Sequence, residues 1–409
     1  MKFIHAADIH LDSPFRGLRK APDQIWEKIH NSTYAAFINM VNTAIEENVD
    51  FVLIVGDLYD RVQHSIQADL FMNEQLERLN QKQIPVYLSY GNHDYLNENT
   101  EIIHYPDNVY VFSAQPEVQQ LTLHDGTTVT IVGFSYDKQA VQEDMVAKFP
   151  DRNQSDFEIG TVHGSMDSLN APEANYAPFS KSELLGLHYD YWALGHIHKR
   201  QILNEEPAII YSGNLQGRHK NEAGKKGFYL VTSEGHELKP KFVQASVVNW
   251  QPMKVQADSE ETFDQLVAKI LDQIVDLKDE KPNFINVKIE NIQELTSSVL
   301  SRIEDDSLLE VVQQALLSKS MHWVYEITPV PTQKTFKLNA IDDEFWKESQ
   351  KKVFTGENIN QLAGSLLNQP FIAEELQHDM PIDQLQDWAE TLLLKNGGRE
   401  EQNDENTED

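Results

Sequence analysis

The residues of this 409-residue chain that could do chemistry arrive in five short runs. "DIH" supplies Asp8 and His10, "GDLYD" supplies Asp57 and Asp60, and "GNHD" supplies Asn92, His93 and Asp94. "VHG" adds His163, and "GHIH" adds His196 and His198. Imidazoles, carboxylates and one amide oxygen make a mixed N/O donor set that suits Mn, Fe or Zn better than Ca. The donors are too many for one ion. A bridging carboxylate among them fits two ions about 3.5–4 Å apart, an arrangement that activates a water and neutralises a phosphoryl transition state. Each run alone has a plainer reading: "DIH" is a common tripeptide, "GDLYD" and "GNHD" carry ordinary turn residues, and His163 could be a satisfied core histidine. Five such runs, each after an apolar stretch, are hard to reconcile with coincidence.

Those apolar stretches are the elements that must position the donors. "KFIHAAD", "DFVLIVGD", "IPVYLSYGN", "IGTVHG" and "YWALGH" read as buried strands. Helical spacing runs through residues 23–48 and again through 65–82, giving a strand-helix-strand rhythm and an α/β layer fold. Ligands in such sheets gather beyond the carboxyl ends of the strands, so the five runs are expected to converge. After residue 108 the strands crowd together, with a hairpin turn at His124-Asp125-Gly126, and a second sheet stacked on the first is expected. Residues 246–330 read as a smaller strand-helix-strand-helix-strand unit, and "PVPTQKT" as a linker. Residues 331–398 are helical in tone, and the acidic tail 399–409 reads as disordered. Trp192, Tyr191 and Phe228 are expected in the core, and Trp250 and Trp323 as packing residues of the smaller unit.

Composition narrows the classes further. There is no cysteine, which removes disulfides and thiolate zinc sites, and a cytoplasmic address fits. No apolar run approaches 18 residues, so no membrane span is expected, and the amino terminus has no secretory pattern. The net charge is −31, split into −13 over residues 1–245 and −18 over 246–409. Against that background the cations near the motifs stand out: Arg16, Arg19 and Lys20 after "DIH", Lys199 and Arg200 after "GHIH", and Arg218, His219, Lys220, Lys225 and Lys226 in "GRHKNEAGKKG". A local positive groove for phosphates is one reading of them, ordinary solvated charge the other.

Taken together, D-x-H, G-D-x-x-D, G-N-H-D, H-G and G-H-x-H resemble the calcineurin-like metallophosphoesterases. "HAADIHLDSPFRGL" and "YSGNLQGRHKNEAGKKGFYLV" resemble more closely the YhaO-type bacterial DNA-repair exonucleases, relatives of the SbcD nuclease subunit. The resemblance covers about residues 1–245, extends over 246–330 as a capping domain, and is weak beyond. It implies a four-layer α/β/β/α sandwich (1–245), an α+β capping domain (246–330) and a helical C-terminal segment (331–398) with a possible docking role. It also implies two divalent ions, with manganese favoured: one held by Asp8, His10, Asp57 and His198, the other by Asp57, Asn92, His163 and His196. His93 would be the catalytic histidine, assisting the leaving oxygen while a metal-bridging hydroxide attacks, and Asp94 would orient it. Archaeal and eukaryotic relatives carry a second histidine where this chain has Asp60, so no second catalytic histidine is expected there. His64 is expected to be a solvated residue at a helix start. The implied function is a DNA nuclease of the exonuclease type in DNA repair, with an SMC-type coiled-coil ATPase partner and a homodimer formed through helices near 62–80 and 96–105. A phosphodiesterase or phosphatase for small-molecule or protein phosphoesters is the alternative. A purely structural scaffold would require damaged ligands, and all are intact.

Overall fold

In the computed structural model the described residues are 1–15, 21–96, 104–166, 176–279, 281–317, 320–330 and 343–364, with Leu366, Leu385 and Ala389. Arg16, Arg19, Lys20, the linker 331–342 and the tail 399–409 lie outside them, as does most of 96–105. Among the described residues, no helix is long and apolar enough to cross a membrane.

The first strand β1 (Lys2–Ala7) is followed by α1 (Asp23–His30), α2 (Ser32–Glu46), β2 (Phe51–Val55), α3 (Ile66–Asn80) and β3 (Val86–Ser89). β2, "FVLIV", is buried at every position, as a strand covered on both faces must be. The helix expected over 23–48 is broken at Asn31, which leaves helical geometry, while the Ser32 hydroxyl donates back to the Ile29 carbonyl at 2.6 Å. Short polar side chains that compete for backbone groups favour such a break.

Next come β4 (Val109–Val111), β5 (Glu117–Thr122), β6 (Thr128–Gly133), β7 (Phe157–His163), α4 (Lys181–Gly186), β8 (Tyr191–Gly195), β9 (Gln201–Asn204), β10 (Ala208–Tyr211), β11 (Gly227–Glu234) and β12 (Glu237–Gln244). One six-stranded sheet has the order β12-β11-β1-β2-β3-β4, the other β5-β6-β7-β8-β10-β9. Three strands between residues 108 and 245 therefore do not join the second sheet: β4 pairs with β3, and the β11–β12 hairpin covers the free side of β1. β12 then forms the edge, with Lys239, Pro240 and Lys241 along it, residues that discourage further pairing. The β5–β6 hairpin turns at His124-Asp125-Gly126 with Gly126 at φ 88°.

The sheets face each other across a core of Phe3, Phe51, Leu53, Val129, Ile131, Ile159, Tyr191 and Ile210. α2 and α3 cover the outer face of the first sheet through Phe37, Met40, Met72 and Leu76. The outer face of the second sheet carries Trp192, Leu194 and Ile209 under α4 and the 134–149 segment. Helix, sheet, sheet and helix thus form the four layers.

β13 (Asn249–Gln256), α5 (Phe263–Val275), β14 (Asn283–Glu290), α6 (Ser297–Glu304), α7 (Ser307–Leu316) and β15 (Trp323–Pro329) build a three-stranded sheet, parallel throughout, with its helices. α6, unread in the sequence, is a short helix whose Val299 and Ile303 complete this layer's own core. Residues Met1–Val330 form one compact unit. Its two parts meet at Phe15, Ile29, Val248, Trp250, Phe284 and Trp323. Trp250 lies near Phe284 and Tyr325, with ring centroids at 5.4 and 5.1 Å, and donates Nε1–H to the Gly217 carbonyl at 2.9 Å. Trp250→Ala is expected to cost about 3–5 kcal/mol of stability, measurable as a lower urea midpoint.

Beyond it, α8 (Asp343–Val353) and α9 (Gly356–Ala363) belong to a second unit. Asn358 Nδ2 donates to the Lys352 and Val353 carbonyls at 2.8 and 3.2 Å and holds the turn between them.

Candidate metal centre

Both sheets deliver donors at the carboxyl ends of their parallel strands: Asp8 and His10 after β1, Asp57 after β2, Asn92 and His93 after β3, His163 as the last residue of β7, and His196 and His198 after β8. The loops continue the ladder beyond the strands, since Asp8 N bonds Gly56 O, His10 N bonds Asp57 O and Gly56 N bonds Ser89 O at 3.0–3.2 Å. Asp8, His10, Asp57 and His196 hold φ of 52°, 48°, 51° and 92°, in or beyond the left-handed region. Non-glycine residues are rarely found there, and they gather where function overrides backbone preference.

The first donor set is Asp8, His10, Asp57 and His198, whose ligand atoms all lie within 4.8 Å of one another. His10 Nε2 and His198 Nε2 are 3.0 Å apart, His10 Nε2 and Asp57 Oδ2 3.7 Å, and His198 Nε2 and Asp8 Oδ1 3.9 Å. The second set closes around Asn92 Oδ1, which is 3.0 Å from His163 Nε2 and 3.1 Å from His196 Nδ1. His163 Nε2 is also 3.4 Å from Asp57 Oδ2, so a single Asp57 oxygen faces both sets. Ligand atoms on one ion with bonds of about 2.1 Å sit about 3–4.2 Å apart, and the pairs just named, at 3.0–3.9 Å, fall in that range. The tautomers agree. His163 Nδ1 must donate to the Val55 carbonyl (3.1 Å), so Nε2, facing Asn92 Oδ1 and Asp57 Oδ2, is the nitrogen that holds a proton here and would hold a metal ion once that proton leaves. The residues present therefore fit two divalent ions. Ile197, between the two histidines, packs instead on the outer apolar cluster.

The electrostatics point the same way. Burial opposes ionisation of Asp57, but His163 and His93 hold its carboxyl well below the usual range. Burial likewise opposes charge on His163, yet Asp57 raises it to about 9. Metal entry must displace that proton, so loading is expected to strengthen as pH rises towards 9, read by titration with Mn²⁺. Burial, with Asp57 adding to it, pushes Asp94 up to about 7. His5 is a different case: buried, bonded to Tyr191 Oη and the Leu194 carbonyl, and lowered to about 3 by burial, it is a core residue.

His93 is half-buried beside the first set, its ring edge-on to His10 at 4.9 Å. Its backbone N–H donates to Asp57 Oδ1 at 3.0 Å and its Nδ1–H to the Asp60 carbonyl at 2.8 Å. Asp94 accepts from the backbone N–H of Leu58, Tyr59 and Gly91 at 2.6, 3.3 and 2.8 Å, tying the His93 turn to the Asp57 loop. Gly91 must be glycine: a Cβ there would stand 2.1 Å from Asp57 Oδ1 and 2.7 Å from His163 Nε2. Gly91→Ala is expected to push Asp57 aside and lower metal affinity about 10–100-fold, read by calorimetry.

The basic residues divide. Lys199 and Arg200 are exposed, with Arg200 over the Phe242 ring at 3.7 Å. Arg218 is buried, 2.8 Å from Asp60 Oδ1 and 3.5 Å from Glu222 Oε1. His219 lies 3.5 Å from Glu222 and Lys220 3.6 Å from Glu326. His64 is not solvated; it stacks on Tyr59 at 3.7 Å and bonds Asp69 at 2.6 Å. Glu222 went unread in the sequence. It is buried, and against the cost of burial Arg218 and His198 hold it well below the usual carboxylate range. Its acid stood hidden among basic neighbours; the signal was the need of a candidate ligand histidine for a partner on its other nitrogen.

The calcineurin-like phosphoesterase family model matches residues 1–200. The chain is 39% identical over 280 residues to the uncharacterised metallophosphoesterase YhaO of Bacillus subtilis, covering 68% of each chain. It is 26% identical over 282 residues to the DNA double-strand break repair protein Mre11 of Methanocaldococcus jannaschii, covering 66% of this chain and 73% of that one. It is 24% identical over 327 residues to the SbcD component of the nuclease SbcCD of Staphylococcus epidermidis, covering 73% and 82%. With two donor sets meeting at Asp57 on a four-layer sandwich, the chain belongs to the calcineurin-like metallophosphoesterase family.

Proposed function

We propose that this metallophosphoesterase is a DNA nuclease of the exonuclease type, acting in DNA repair with two manganese ions. The observation that carries its hydrolytic chemistry is the convergence of both donor sets on one Asp57 oxygen beside the half-buried His93. Asp8, His10, Asp57 and His198 would hold one ion, and Asp57, Asn92, His163 and His196 the other. Bound there, the ions supply an activated water and neutralise charge on the phosphoryl group. His93, its Nδ1–H committed to the Asp60 carbonyl, directs Nε2 to the leaving oxygen and gives it a proton. Asp94 fixes the turn from which His93 reaches. Lys199 and Arg200, exposed directly after the last ligand, meet backbone phosphates. With a net charge of −31 on the chain, that contact is expected to weaken steeply with salt.

Similarity to proteins named for double-strand break repair and for a nuclease favours DNA over smaller esters. Within this reading an SMC-type ATPase is the partner and the segment after Val330 docks it, a role suited to Leu362 and Leu366, 81% and 55% exposed. Ile66 and Leu70, exposed one turn apart on α3, serve a homodimer. The second reading, a phosphodiesterase or phosphatase for small or protein phosphoesters, uses the same donors. Cleavage of an end-labelled linear duplex in Mn²⁺, run beside a generic phosphodiester, separates the two. Cut DNA upholds the nuclease; hydrolysis of the generic ester with intact DNA overturns it in favour of the second reading.

A further inference from the structure

His198 differs from His163 in how its second nitrogen is held. His163 uses a strand carbonyl, whereas His198 Nδ1 meets a carboxylate, Glu222 Oε1, at 2.6 Å, from a loop that supplies no ligand. Arg218 Nη2 also lies 3.2 Å from that nitrogen. The two neighbours demand opposite tautomers, because a carboxylate only accepts and a guanidinium only donates. Distance decides between them: at 2.6 Å a bare nitrogen facing a carboxylate oxygen would be repelled, so Nδ1 carries the proton. In the neutral ring the lone pair of His198 is then on Nε2, facing His10 and Asp8.

Glu222 is itself held firmly. Its Oε2 accepts from Asn214 Nδ2 at 2.8 Å and from the Arg218 backbone N–H at 2.6 Å. Arg218 bridges it to Asp60, whose carbonyl fixes His93. Lys226 Nζ donates to the His198 carbonyl at 2.8 Å, fixing the backbone of the same ligand. From the other side, Gln216 Nε2 bonds the Val248 carbonyl at 2.8 Å, and Trp250 bonds Gly217, so the loop is anchored to the three-stranded layer.

We propose that Glu222 is a positioning residue of the metal centre, fixing His198 in the Nδ1–H tautomer so that its Nε2 is presented to the first ion. The proposal rests on the two-ion reading above. A merely structural ion pair would change stability and leave both the tautomer and the metal affinity alone.

Two measurements on the full-length protein test it: Mn²⁺ titration by calorimetry, and ¹⁵N NMR of the histidines without metal. Glu222→Ala is expected to weaken one ion about 10–100-fold while the other holds, and Glu222→Gln, which keeps an oxygen acceptor, to stay within about threefold of wild type. Wild-type His198 is expected to carry its proton on Nδ1 alone. Wild-type affinity in a folded Glu222→Ala protein, a loss shared equally by both ions, or a mixed His198 tautomer in the wild type overturns the proposal. If Glu222→Ala does not fold, the wild-type tautomer decides: Nδ1–H upholds the proposal and a mixture overturns it. A wild type that binds no Mn²⁺ defeats the two-ion reading instead, and the tautomer still tests Glu222.

Discussion

Asp57→Asn is expected to lose about 10³-fold or more in kcat/KM, because several kcal/mol of transition-state stabilisation rest on the ions, at about 1.4 kcal/mol for each tenfold. The substitution is chosen for what it preserves. Asp57 sits at φ 51°, a conformation that asparagine tolerates, so the loop keeps its shape. The amide also keeps an oxygen acceptor for the His93 backbone N–H. What is lost is the negative charge whose Oδ2 lies 3.4 Å from His163 and 3.7 Å from His10. Without it neither donor set has its shared carboxylate, and two bound dications would face a neutral amide there. A differential melt separates metal loss from unfolding. At 100 times the dissociation constant, Mn²⁺ stabilises the wild type by about 2.7 kcal/mol. The variant is expected to melt near the metal-free wild type and to show no Mn²⁺-dependent rise. A rise equal to that of the wild type would remove Asp57 from its bridging place.

The donors were legible in the sequence because each follows a run that can only be a buried strand, and a parallel strand has one functional end. "FVLIV" before Gly56 and "YWALG" before His196 are strands on composition alone, and both are buried throughout. Less legible was what depends on contact between distant segments. β11 lies more than 200 residues from β1 in sequence, and no local pattern tells which sheet it joins. The break at Asn31 leaves no mark in the pattern because helical spacing continues on both sides of it. Arg218 reads from sequence as a cation available to phosphate, yet it is buried against Asp60 and Glu222. That pairing also gives Asp60 a role without chemistry of its own: its carboxylate holds Arg218 while its carbonyl holds His93. The left-handed backbone at Asp8, His10 and His196 has only a weak signature in residue type, since aspartate and histidine tolerate that region better than most side chains but usually lie elsewhere. It follows from the need to turn a strand end sharply enough for side chains two residues apart to reach the same centre.

His93→Ala should separate chemistry from metal binding. His93 lies outside both donor sets, and its backbone N–H, which bonds Asp57, survives the change. Both ions are therefore expected to bind with unaltered stoichiometry, while DNA cleavage falls about 10²–10⁴-fold, the usual contribution of a positioned acid or base. The size of the loss should depend on the leaving group. Expelling a sugar alkoxide needs a proton, whereas expelling a nitrophenolate hardly does. If Nε2 of His93 delivers that proton, a nitrophenyl phosphodiester should lose far less than DNA when His93 is removed. If His93 acts by neutralising charge on the phosphoryl oxygens, both substrates should lose alike. The Asp60 carbonyl favours the first outcome, since it pins Nδ1–H at 2.8 Å and so makes Nε2, across the half-buried ring, the nitrogen that hands a proton on. The comparison of the two losses, with metal content measured on the same samples, therefore identifies whether His93 supplies the proton, and the Asp60 carbonyl bond assigns that proton to Nε2.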